Sequence, residues 1–72
     1  MSAHVTGETL SQALSRGRAF LTQHDIETAA LDARVLLQAA SGLSHEALVM
    51  HGDDAIAPEA GQTFQMFLDA RS

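Results

Sequence analysis

Thr28-Ala29-Ala30-Leu31-Asp32-Ala33-Arg34-Val35-Leu36-Leu37-Gln38-Ala39-Ala40-Ser41-Gly42 is the stretch on which the fold turns. At helical spacing, Ala30, Ala33, Leu36, Leu37 and Ala40 make one apolar stripe, and Leu31, Val35 and Ala39 make a second on the opposite side. Arg34, Gln38 and Ser41 form the one continuous polar strip. A helix apolar on both sides is expected in the middle of a bundle, covered by neighbours on two flanks. Thr28 reads as its N-cap, and Gly42 as a left-handed residue that closes it.

Upstream, residues 1–8 read as a short, flexible polar arm in which Gly7 discourages helix, and the domain itself is expected over residues 9–72. Thr9 with Gln12 three residues on has capping-box spacing. Leu10, Ala13, Leu14, Gly17, Phe20 and Leu21 then share one helical face, opposite Ser11, Gln12, Ser15, Arg16, Ala19, Thr22 and Gln23. Gly17 costs about 1 kcal/mol against Ala in a helix interior. Its place on the apolar face therefore points to close approach by a neighbouring helix. Residues 24–27 break the period and form the first connection.

Downstream, Ser44 caps a short helix expected from His45 to His51, anchored by Leu43 and Leu48, with Glu46 and His51 suited to its two dipole ends. Gly52-Asp53-Asp54 is a turn, Ile56 packs back, and Pro58 opens the last helix at its favoured first position. There Ala60, Gly61, Phe64, Phe67 and Leu68 face inward, while Glu59, Gln62, Gln65, Met66 and Asp69 face out. No segment alternates with period two over a useful length, so strands are not expected. The expected fold is all-α, a compact bundle of about four short helices with room for a fifth short turn.

Composition narrows the function classes. At 72 residues the chain is one domain near the lower size limit for folding without staples. It has no cysteine, so disulfides and thiolate metal sites are excluded. An apolar content of 46% is that of a globular chain and argues against disorder. The net charge is −5, from nine acids against four arginines and no lysine, so no basic stripe can be drawn for a nucleic-acid backbone. No apolar run approaches the roughly 20 residues of a bilayer span, and no signal-peptide pattern opens the chain. A monomer in the cytoplasm, without direct nucleic-acid or membrane binding, is the expectation.

Chemistry-bearing patterns are sparse. His4, His24, His45 and His51 include no pair three or four apart on one helix, so metal-ligand spacing is missing and dipole or solvated roles fit better. Asp53-Asp54 lacks the twelve-residue calcium-loop pattern and reads as turn chemistry. Asp32 lies toward the second apolar side of the central helix and is expected to pair with Arg16 or Arg18 of the first helix. The serines and threonines fall at caps and turns; there is no nucleophile elbow and no phosphate-cradling glycine pattern. The acidic balance and short helices are similar to an acyl carrier protein, but the Asp-Ser-Leu such a carrier presents at its second helix is replaced by Thr28-Ala29. No catalytic, cofactor-binding or metal-ligating residue is assigned.

The order of elements resembles the N-terminal domain of the HemK/PrmC family of release factor glutamine methyltransferases. The resemblance rests on Thr9-Leu10-Ser11-Gln12-Ala13-Leu14, on Asp32-Ala33-Arg34-Val35-Leu36-Leu37 with its Ser41-Gly42 end, on the short Ser44-to-Met50 helix, and on the closing Phe67-Leu68-Asp69-Ala70-Arg71. It spans about Thr9 to Arg71 and consists mostly of packing positions. In that family a small helical domain precedes a Rossmann-like catalytic domain that uses S-adenosylmethionine to methylate the glutamine of the Gly-Gly-Gln motif in peptide chain release factors. The family's Asn-Pro-Pro-Tyr motif and glycine-rich cofactor loop are not in this sequence. The resemblance therefore implies a non-catalytic, substrate-recognition domain of a longer parent enzyme, with the cofactor held elsewhere. Its implied partners are the release factor and the parent's own methyltransferase domain. A stand-alone helical interaction module is the alternative, followed by a carrier-protein-like bundle.

On that reading, helical geometry nominates the outward side of the first and last helices as the partner surface: Gln12, Arg16, Gln62, Gln65, Met66 and Asp69.

Overall fold

A computed structural model describes residues 8–72 and places four helices in them: α1 Leu10–Gln23, α2 Ala29–Ser41, α3 His45–Met50 and α4 Pro58–Arg71. The all-α bundle expected from periodicity is what forms. Residues 1–7 of the expected arm lie outside the described residues. Glu8 is tied in, its carbonyl accepting the Ile56 N–H at 2.8 Å.

Each helix boundary has a local cause. Thr9 and Gln12 make the full capping box: the Gln12 N–H donates to Thr9 Oγ1 at 3.0 Å, and the Thr9 N–H donates to Gln12 Oε1 at 2.9 Å. α1 ends in a Schellman motif, with Ile26 N–H on the Leu21 carbonyl and Asp25 N–H on the Thr22 carbonyl. Asp25 takes the left-handed position, φ 62°, that glycine usually fills. Gly42 closes α2 at φ 74° as expected. Ser44 caps α3, accepting from the Ala47 N–H at 3.1 Å. That helix stops at Met50 with His51 as its C-cap, one residue short of the expected end. Among the described residues no fifth helical turn forms; Asp54 N–H reaches the His51 carbonyl and closes a turn there.

Thr28 occupies the N-cap position of α2, as expected, but its side chain makes no capping bond. Its φ, ψ of −97°, 34° turn the side chain away from the helix's free N–H groups, and its hydroxyl instead donates to Asp32 Oδ2 at 3.0 Å. The α3–α4 connection folds back on the start of α1. Leu10 N–H donates to the Asp54 carbonyl and Ser11 N–H to the Gly52 carbonyl, each at 2.9 Å, flanking an isolated antiparallel bridge between Thr9 and Ala55. These bonds occupy N–H groups that the start of a helix otherwise leaves unpaired.

The core consists of Leu10, Ala13 and Leu21 from α1, Ala29, Ala33 and Leu37 from α2, Leu48 from α3, and Phe64 and Leu68 from α4. Gly17 is buried among them, and a Cβ there would lie 2.5 Å from Phe64 Cζ, so the expected close approach is made by α4.

α2 packs against α1, α3 and α4, and is central in that sense. Its inward stripe runs through Ala29, Ala33 and Leu37, each one turn from the last, and this leaves Ala30, expected inside, exposed. The second stripe is not covered. Leu31 and Val35 are half exposed, at 49% and 50%, and Ala39 is exposed as well. The fold measures only 16 Å along its shortest axis. Helices pack 8–10 Å apart, so about two layers fit in that thickness and no third layer exists to cover the far side of α2.

Candidate partner-binding surface

The nominated residues lie on α1 and α4, whose packing is set by Gly17 beneath Phe64. Arg16 is the hub. Its Nε donates to Glu8 Oε2 at 2.8 Å and its Nη2 to Glu8 Oε1 at 3.2 Å, a side-on bidentate pair. Its Nη1 donates to Gln65 Oε1 at 2.6 Å, and Gln65 Nε2 passes the relay on to Asp69 Oδ1 at 3.1 Å. The guanidinium carbon also stands 5.8 Å from the centroid of the Phe64 ring, within cation–π range. Four contacts thus hold one long side chain in a single orientation across the α1–α4 seam. The Arg16 and Glu8 side chains remain about a third exposed, so the pair contributes little to stability, about 1 kcal/mol or less. Its effect is to present a rigid, patterned polar strip.

The structure brings together Arg16, Gln65 and Asp69 of the nominated set. Met66 lies alongside on α4 with 67% of its surface exposed, and Gln62 is exposed one turn earlier. Gln12 is exposed, but its amide oxygen is engaged in the α1 capping box. Gln65, expected to point out, is half-buried because it leans to Arg16. Glu8 belongs to the strip, although its place beside Gly7 reads in the sequence as part of the polar arm. No periodicity could have recruited it, since it precedes the helix.

Asp32 is placed differently from expectation. Its carboxylate pairs with Arg71 at the end of α4, Nε and Nη2 each 3.1 Å from Oδ2, and not with Arg16 or Arg18. Arg16 is committed to Glu8 and Gln65, and Asp32 sits on the flank of α2 that faces the last turn of α4. The pair borders a shallow groove formed by Leu31, Val35 and Leu36. Other exposed apolar side chains are Val49 and Met50 on α3. α3 spans six residues, too few for a periodic pattern to show which of its side chains are left outside.

Among the described residues no three His, Asp or Glu side chains converge as a metal site would require. His4 lies outside the described residues. His51 pairs with Asp54 at 3.0 Å, and His24 stacks against Phe20 with ring centroids 4.6 Å apart. Among the described residues no helix is long and apolar enough to cross a membrane. What the α1–α4 surface offers is a fixed row of donors and acceptors beside a flexible thioether.

A family model described as the PrmC N-terminal domain matches residues 12–72. No curated protein and no solved structure matches the chain.

Proposed function

The chain belongs to the PrmC N-terminal domain family, and from that membership we propose that it is the substrate-recognition domain of a protein-glutamine methyltransferase. The substrate is a peptide chain release factor, methylated on the glutamine of its Gly-Gly-Gln motif by a catalytic domain that carries S-adenosylmethionine. The observation that supports this reading in the chain itself is the Glu8–Arg16–Gln65–Asp69 strip beside exposed Met66.

The physical need is clear. A glutamine amide is a weak nucleophile, and one glutamine must be chosen among many. Contacts remote from the reacting atom supply binding energy that orients the substrate and lowers the barrier without touching the chemistry. A rigid bundle whose polar row is fixed before binding loses little side-chain entropy when the partner arrives. The work takes place in the cytoplasm, where release factors act.

The test is made in the methyltransferase that carries this domain. Arg16→Glu and Met66→Ala should raise KM for the release factor several-fold while leaving turnover of a short Gly-Gly-Gln peptide unchanged. Unaltered methylation of the whole release factor by both variants, with helical content intact, removes the assignment. The isolated chain should bind release factor but show no binding of S-adenosylmethionine.

A further inference from the structure

Arg34 is the one helix arginine that is half-buried; Arg16, Arg18 and Arg71 are exposed. Arg16 has Glu8 and Arg71 has Asp32, but among the described residues Arg34 makes no ion pair, and its Nε is buried with no hydrogen-bond partner. Sequence periodicity puts Arg34 on a solvated polar strip with Gln38 and Ser41. In the fold it is half-buried and lines a cleft of about 220 Å³ where α1, α2 and α3 meet. Buried polar groups in folded proteins are nearly always paired, and a charged donor without an acceptor is the least tolerated exception. None of the described residues lining the cleft is acidic, so none of them offers Arg34 a carboxylate.

We propose that this cleft binds a short peptide segment in which an apolar side chain adjoins an Asp or Glu, the carboxylate meeting Arg34 and the apolar side chain lying between Leu14, Leu48 and Val49. The walls fit the apolar half: Leu14 and Leu48 belong to the packed interior of the bundle, while Val49 keeps 70% of its surface in solvent and awaits a cover. Ser11 and His45 add polar groups at the same cleft. Size argues for a side chain rather than a cofactor, since small-molecule sites run to about 300–1,000 Å³. Charge argues against a nucleic-acid strand. The cleft has one arginine in a chain of net charge −5, and a row of phosphates would lie along acidic surface. One carboxylate is a different case, because charges beyond about 8–10 Å are largely screened at physiological salt. The pairing geometry already occurs in this protein, where Arg16 grips Glu8 side-on.

The cleft shares no residue with the α1–α4 strip, and the proposal stands whether or not that strip meets a release factor. It is tested on the 72-residue chain by proton–nitrogen NMR that includes the arginine Nε–H signals, titrating N-acetyl-Leu-Glu-amide, N-acetyl-Leu-Gln-amide and sodium acetate in parallel. The Glu peptide should shift Arg34 Nε–H, Ser11, His45 and Val49 saturably, with the Gln peptide at least about tenfold weaker because it lacks the charge-assisted bond. Arg34→Met should abolish the preference for Glu over Gln. Val49→Glu, at an exposed position, should weaken the Glu peptide about tenfold without removing Arg34, which keeps the test intact if Arg34→Met fails to fold. Equal response to the two peptides, shifts scattered outside the cleft, or acetate alone reproducing the same shifts at the same concentration would each overturn the proposal.

Discussion

Gly17 lies beneath the ring of Phe64 so closely that a Cβ at position 17 would stand 2.5 Å from Cζ and 3.0 Å from Cε2. Two opposing terms follow for Gly17→Ala. Helix propensity favours alanine by about 1 kcal/mol. Overpacking a filled core costs about 1–3 kcal/mol; Phe64 is fully buried, and Leu68 Cδ2 lies 3.5 Å from the same added Cβ. The clash wins, and thermal unfolding should show a midpoint lowered by several degrees, at about 4–8 °C per kcal/mol for a domain of this size. In a Phe64→Leu background the same substitution should be neutral or stabilising, a coupling that a double-mutant cycle measures.

Two threonines that look alike as caps should behave differently. Thr9→Ala removes a hydroxyl that accepts the Gln12 N–H, and should cost about 1 kcal/mol in urea unfolding. Thr28→Ala removes no cap, only an exposed bond to Asp32, and should cost less than about 0.5 kcal/mol. Equal costs would mean that Thr28 caps α2 in solution.

Asp25 holds the left-handed corner after α1. A β-carbon in that conformation costs about 1–2 kcal/mol, less for Asp than for most residues. Asp25→Gly keeps the Schellman bonds and relieves the strain, against some loss of chain stiffness in the unfolded state. A net gain of about 0.5 kcal/mol is expected, read as a higher midpoint in thermal unfolding.

The uncovered flank of α2 gives the sharpest contrast. Leu31→Ser and Val35→Ser should each change stability by about 0.5 kcal/mol or less, as at other surface positions. Leu37→Ala, on the opposite flank and fully buried, should cost about 2–5 kcal/mol, enough to unfold much of so small a domain. Serine variants as damaging as Leu37→Ala would show the flank to be buried in solution.

The helices were legible because their signals are local. Thr9 and Gln12, Ser44, Gly42 and Pro58 each act through atoms within a turn of themselves, so spacing along the chain carries the information. Gly17 was legible for a related reason: a residue that weakens a helix yet sits on its apolar face needs a neighbour close by. The site was less so. Arg16, Gln65 and Asp69 could be placed on outward faces, but the bonds that join them span α1 and α4, and Glu8 enters from outside any helix.

Periodicity names a helix's apolar sides without saying how many neighbours there are to cover them. That is why the stretch from Thr28 to Gly42 forms the helix its spacing predicts but is not covered on both flanks. A two-layer fold had one flank to offer α2, which left Leu31 and Val35 in solvent. The same packing drew Arg34 off the polar strip into a cleft and gave Asp32 to Arg71 instead of α1. Pairing of charges depends on which side-chain ends meet across helices, and Asp32 and Arg71 meet from 39 residues apart in sequence, a distance no rule of spacing reaches. Secondary structure and its caps belong to the chain; burial, ion-pair partners and the exposed surface belong to the assembled bundle, because they are properties of distances that exist only once it has packed.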